Sequence, residues 1–192
     1  MLVTDLKLGG YTFGVPTFYS SFHLGRDLSA KYITLSFPVD LFDVKTSNGS
    51  QGGLTVTGTD RLGYIHRFMH LSKTINVKNT IAAYVDFAIS GNTGSYTTSP
   101  HLHHDIRKPG QTTISFKNFI DPEYWKNNIL PKIMEKELSD WQKEFVDWAT
   151  KAGVSNGERP LDSITRVEAM GMMKKFENHL VGAYNLKKID LK

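Results

Sequence analysis

The chain has 192 residues, enough for one domain with an appendage or two small domains, and too few for a large multidomain machine. Its 40% hydrophobic content permits a buried core, while the absence of cysteine excludes disulfides, thiolate nucleophiles, iron–sulfur clusters and thiolate zinc sites, so any metal must be held by His and carboxylates. The net charge of +4 lies entirely in residues 1–120, which hold 11 Lys and Arg against 7 acidic residues, whereas 121–192 hold 12 of each. This modest excess fits an anionic polymer as partner and falls short of the dense basic stripe of a nucleic-acid binder. Asp5, Lys7, Gly9 and Gly10 interrupt the first twenty residues, so no signal peptide is expected. No apolar run reaches the roughly 18 residues of a membrane span.

From Tyr11 to about Phe119, short apolar or alternating runs at 32–37, 54–57, 64–69, 80–89 and 112–116 read as strands. Turn-rich stretches at 47–53 and 90–94 separate them. The expected fold is α+β: a mainly antiparallel β-sheet sandwich or open barrel with Gly-rich loops, followed by a small C-terminal helical unit. At Asp121-Pro122-Glu123 an N-cap, an N1 proline and an acidic first turn open a short helix that Pro131 limits. Ser139-Asp140-Trp141-Gln142 and Thr165-Arg166-Val167-Glu168 have capping-box form, each preceding an apolar helical face. Two helices are therefore expected between 136 and 182, and the domain division is placed at 1–124 and 125–192.

Three histidine-bearing segments stand out in the first part, which contains no glutamate before Glu123 and six of the seven histidines. They are His23-Leu24-Gly25-Arg26-Asp27, Met69-His70-Leu71-Ser72 and Pro100-His101-Leu102-His103. On a strand, residues i and i+2 share a face, so His101 and His103 point into one groove and are placed to serve one metal. His23 and Asp27, with Gly25 allowing a bend between them, add an imidazole and a carboxylate, and such N and O donors suit zinc. His66 and His104 are read as sheet-face residues, the strand alternation turning His104 away from His103.

These segments, with Ser90-Gly91-Asn92-Thr93-Gly94 ahead of Pro100, resemble the LytM/lysostaphin-type zinc metallopeptidases, endopeptidases of bacterial cell walls. The resemblance covers about residues 13–124. It implies one zinc ion held by His23, Asp27 and His103, with His70 and His101 as the catalytic histidines. The family usually has Gly where Ser99 stands and Phe-Glu where His104-Asp105 stands, which bears on the groove wall and on what surrounds the ligands. With no glutamate in this part, a histidine must act as general base; His101 is assigned that role, and His70 the orientation of water or stabilisation of the tetrahedral intermediate. Residues 141–176 resemble a single S-layer-homology-type repeat, as at the ends of some phage lysins, which implies wall targeting; docking or self-association through the same helices is the other reading.

The function expected is zinc-dependent hydrolysis of peptide bonds in peptidoglycan stem peptides or cross-bridges, as a phage lysin or virion-associated enzyme acting on the bacterial wall after lysis or from the particle. The alternative of another class is a non-catalytic LytM-like module that binds wall or activates another hydrolase. A basic nucleic-acid-binding β-barrel, suggested by charge alone, is set aside, as is membrane insertion.

Overall fold

The computed structural model describes residues 1–75 and 77–137. The capping boxes at Ser139 and Thr165, the two helices expected to follow them and the segment resembling an S-layer-homology repeat lie outside the described residues. The first compact unit runs Met1–Glu135. In chain order its elements are β1 (Gly25–Leu28), β2 (Thr34–Leu35), β3 (Phe42–Gly49), β4 (Gly53–Thr59), β5 (Ile65–Leu71), β6 (Lys73–Thr74), β7 (Ala88–Ile89), β8 (Leu102–Arg107), β9 (Phe119–Ile120), α1 (Pro122–Asn128) and α2 (Leu130–Glu137), the last extending just past the unit. Among the described residues no helix is long and apolar enough to cross a membrane.

The main sheet is antiparallel with order β1-β8-β5-β4-β3, and β9 pairs with the far end of β8. A small antiparallel sheet, β2-β7-β6, accompanies it. Alternation along the central strands divides the main sheet into two chemically different faces. Val56, Phe68, Leu102 and Ile106 enter the core and are inaccessible to solvent. Thr57, Arg67 and Asp105, register partners across β4, β5 and β8, occupy the other face. Phe37 and Phe87, which flank β2 and β7, pack against Phe68 with ring centroids 5.3 and 5.0 Å away. Burying each such side chain is worth about 1.5–3 kcal/mol.

His66 and His104 lie on the core face, fully buried, His66 Nδ1 3.2 Å from His104 Nε2 and His66 Nε2 3.2 Å from Asp60 Oδ2. Burial pushes both imidazoles below their ordinary value, His104 well below, with Asp60 opposing the shift at His66. Asp60 also accepts from Trp125 Nε1 at 3.0 Å. Trp125 stacks on Phe37 at 5.4 Å, and Ile129 and Ile133 share its core, so both helices contribute to the packing of the β unit. Asp121 caps α1 by accepting from the Glu123 backbone N–H at 2.9 Å. Arg26 of β1 ties that helix start to the sheet through Nε, 2.7 Å from Asp121 Oδ1, and Nη2, 3.1 Å from Asp121 Oδ2.

Four expectations differ from the observed elements, the first being the run 32–37, of which only Thr34–Leu35 is a strand. Within 80–89 only Ala88–Ile89 is a strand, Ile81 making an isolated bridge to Leu41. The stretch 112–116 follows Pro109-Gly110 and is unpaired, leaving Ile114 65% exposed. The strand β3 continues through Ser47 and Asn48, because an exposed edge strand tolerates polar residues on both faces.

Candidate active site

The β1–β8 register sets Asp27 directly opposite His103. Gly25 makes that pairing possible: it lies within the strand rather than at a bend, and a Cβ there would run into the His104 carbonyl oxygen. His23 enters from the loop before β1, its backbone N–H donating to the Val15 carbonyl at 2.8 Å. His23 Nε2, Asp27 Oδ1 and His103 Nδ1 form a triangle with edges of 3.0, 3.0 and 3.2 Å. Three donors of a tetrahedral zinc site at about 2.0–2.1 Å from the metal stand about 3.3 Å apart. The triangle is therefore the right size for zinc. Among the described residues this is the group of three His or carboxylate donors close enough to hold a metal.

The remaining ring nitrogens are also occupied. His23 Nδ1 lies 3.1 Å from the Thr12 carbonyl oxygen and His103 Nε2 lies 3.2 Å from Asp105 Oδ2. A proton on each of those nitrogens leaves a lone pair on the nitrogen facing the triangle, as a metal ligand requires. Burial opposes the charge on Asp27, but the imidazoles of His101, His103 and His23 around it hold it well below the usual carboxylate range. Burial opposes charging of His103 too, and Asp105 and Asp27 outweigh it, raising its pKa. Asp105, despite its burial, is lowered to about 2 by Arg67 and His103.

His70 reaches the same cleft from a β-bulge. The β4–β5 register slips between Leu54↔Leu71 and Val56↔Phe68, so one extra residue is accommodated on β5 and His70 adopts a left-handed φ of 63°. Its Nδ1 is 2.9 Å from the Thr93 carbonyl oxygen, and burial lowers its pKa to about 4 against the pull of that bond. The neutral ring thus donates from Nδ1 and leaves Nε2 bare. Thr93 is fixed in turn, its Oγ1 donating to the Leu71 carbonyl at 2.7 Å and accepting from the Leu54 N–H at 2.9 Å. Gly94, at φ 87°, lets this turn press onto the Gln51–Gly52 backbone with no room for a side chain.

His101 precedes β8, with its Nδ1 2.8 Å from the Ser99 carbonyl oxygen and its Nε2 3.4 Å from Asp27 Oδ1. The His70 and His101 rings are 4.9 Å apart between centroids. All five residues singled out in the sequence, His23, Asp27, His70, His101 and His103, line one cleft of about 620 Å³. Aromatic pairs from the surrounding loops form its walls: Tyr19 stacks on Tyr96 at 4.6 Å, and Phe22 on Phe116 at 4.9 Å. The carbonyls of Thr12, Thr93 and Ser99 carry no sequence signal, since any residue offers one. Asp105 did carry a signal, standing two residues beyond His103 on the same strand face.

The antiparallel sheet with few helices matches the LytM/lysostaphin peptidase fold. The chain is similar to the solved structure of LytU, with 27% identity and a TM-score of 0.51 over 60% of this chain and 81% of that one. It is also similar to the catalytic domain of the antimicrobial peptidase lysostaphin from Staphylococcus simulans, with 27% identity and a TM-score of 0.46 over 62% of this chain and 91% of that one. No protein-family model matches the chain, and no curated protein sequence does.

Proposed function

We propose that the chain is a zinc-dependent endopeptidase that hydrolyses peptide bonds in the stem peptides or cross-bridges of bacterial peptidoglycan. The observation that carries this reading is the zinc-sized triangle of His23, Asp27 and His103 in one cleft with two further imidazoles. The likeness to LytU supports it. Zinc held by these three residues supplies Lewis-acid polarisation of the scissile carbonyl and an acidified water.

The chain's own groups do the rest. His101, its Nδ1–H held by Ser99, takes the water's proton at Nε2, the nitrogen that faces Asp27. His70, neutral and anchored on Thr93, presents a bare Nε2 that accepts from the water and orients it. The Thr93 and Ser99 carbonyls hold the two rings in place before substrate arrives, so no reorganisation is required at the moment of reaction. A phage lysin or virion-associated enzyme is the setting included in the proposal.

The test is turbidity loss of a peptidoglycan suspension. Clearing by the zinc-loaded chain that is abolished by a chelator and by His101→Ala supports the proposal. A suspension that stays turbid with the zinc-replete wild-type chain overturns it.

A further inference from the structure

On the polar face of the main sheet, His103 turns Nδ1 toward His23 and Asp27 and Nε2 toward Asp105, whose Oδ2 is 3.2 Å away. Asp105 is 1% exposed and stands directly opposite Arg67 in the β5–β8 register. Arg67 closes on it in a fork: Nε is 3.2 Å from Oδ1 and 3.0 Å from Oδ2, and Nη2 is 2.7 Å from Oδ2. On the other side, the β1–β8 register places Gly25 against Asp105, so no side chain from β1 competes for the carboxylate. The four groups make a chain from guanidinium to carboxylate to imidazole to the zinc-sized triangle.

We propose that Asp105, clamped by Arg67, is a positioning residue that fixes the ring orientation and tautomer of His103 for zinc. A neutral imidazole carries one ring proton, and a carboxylate at Nε2 holds it there, leaving the Nδ1 lone pair aimed at the metal. The same contact raises the basicity of the ligating nitrogen. Arg67 is needed because a lone carboxylate rotates about its own side chain, whereas one held by a planar fork does not. The inference rests on His23, Asp27 and His103 being the zinc ligands.

The experiment compares zinc affinity by competition with a chromophoric chelator, and the visible absorption of the cobalt(II)-substituted protein, in the full chain and its variants. Asp105→Asn is expected to weaken zinc binding about 10–100-fold and to shift the cobalt bands, with Asp105→Glu restoring most of the affinity. Arg67→Met, which leaves the carboxylate but removes its clamp, is expected to weaken zinc by a smaller factor and keeps the test usable if Asp105→Asn does not fold. Thermal unfolding of the metal-free forms separates lost zinc affinity from lost structure. Asp105→Asn or, failing that, Arg67→Met binding zinc within twofold of wild type with an unchanged cobalt spectrum overturns this inference alone. A wild-type chain that binds no zinc overturns the inference together with the functional reading beneath it.

Discussion

Asp27 of β1 and His103 of β8 are direct register partners whose side chains approach to 3.0 Å between Oδ1 and Nδ1. Two of the three donors are therefore placed by a single antiparallel strand pair, and only His23 comes from a loop. Removing either member of the pair leaves two donors, too few to hold zinc against dilution. Wild type is expected to carry one equivalent of zinc through gel filtration, and Asp27→Ala and His103→Ala to lose it, as read by elemental analysis. Retention of a full equivalent by either variant contradicts the assignment.

His70 and His101 point into the cleft, but neither is a member of the triangle. Their replacement should separate metal binding from turnover. His70→Ala and His101→Ala are expected to keep one equivalent of zinc and to lose about 10²–10⁴-fold in kcat, the usual range for a proton-transfer group. Loss of zinc in parallel with activity would make these residues ligands instead.

Acid should destabilise the metal-free protein well before its carboxylates titrate. His66, His70 and His104 are all lowered in the folded state. The unfolded chain, with histidine near 6.5, therefore binds more protons, so the stability they contribute is present above about pH 6.5 and is lost as the pH falls below it. His103, raised by burial-opposing contacts with Asp105 and Asp27, acts in a different window: its contribution is full below about pH 6.5 and is lost as the pH rises through its folded value, so it does not offset the acid-side loss. Each net proton steepens the decline by about 1.4 kcal/mol per pH unit. Urea unfolding at pH 7, 6 and 5 should show this fall, and His104→Phe, which keeps an aromatic ring against Phe68, should flatten it. A pH-independent unfolding midpoint across this range would contradict the picture.

At Gly25 the β1 backbone lies tight against β8, and the added methyl of Gly25→Ala meets the His104 carbonyl. Overpacking of this kind costs about 1–3 kcal/mol, and here relief requires parting the two strands that carry Asp27 and His103. The variant should unfold at lower urea and bind zinc more weakly. A midpoint and affinity equal to wild type would show that the strands do not need this contact.

Much of the site is legible in the chain because strand geometry is local. The i, i+2 spacing of His101 and His103 fixes a shared face whatever the rest of the fold does, and the same alternation sends His104 to the core. Likewise Asp121-Pro122-Glu123 marks a helix start by chemistry confined to three residues. Less legible is whatever depends on distant partners. Whether 80–89 or 112–116 becomes a strand turns on an available neighbour, which alternation does not report. The bulge at His70 arises from a mismatch between two strands, and no feature of Met69-His70-Leu71 announces it. Gly25 reads as a bend residue in the chain, and only the approach of β8 reveals it as a contact residue.

Zinc-dependent cleavage of the wall peptide is read by mass spectrometry of peptidoglycan digested with the zinc-loaded chain, with and without chelator. Fragments with new peptide α-amino and carboxyl termini and intact glycan strands are expected, and none once zinc is removed. Undigested peptide under zinc-replete conditions, or cleavage that persists in the chelator, would contradict it.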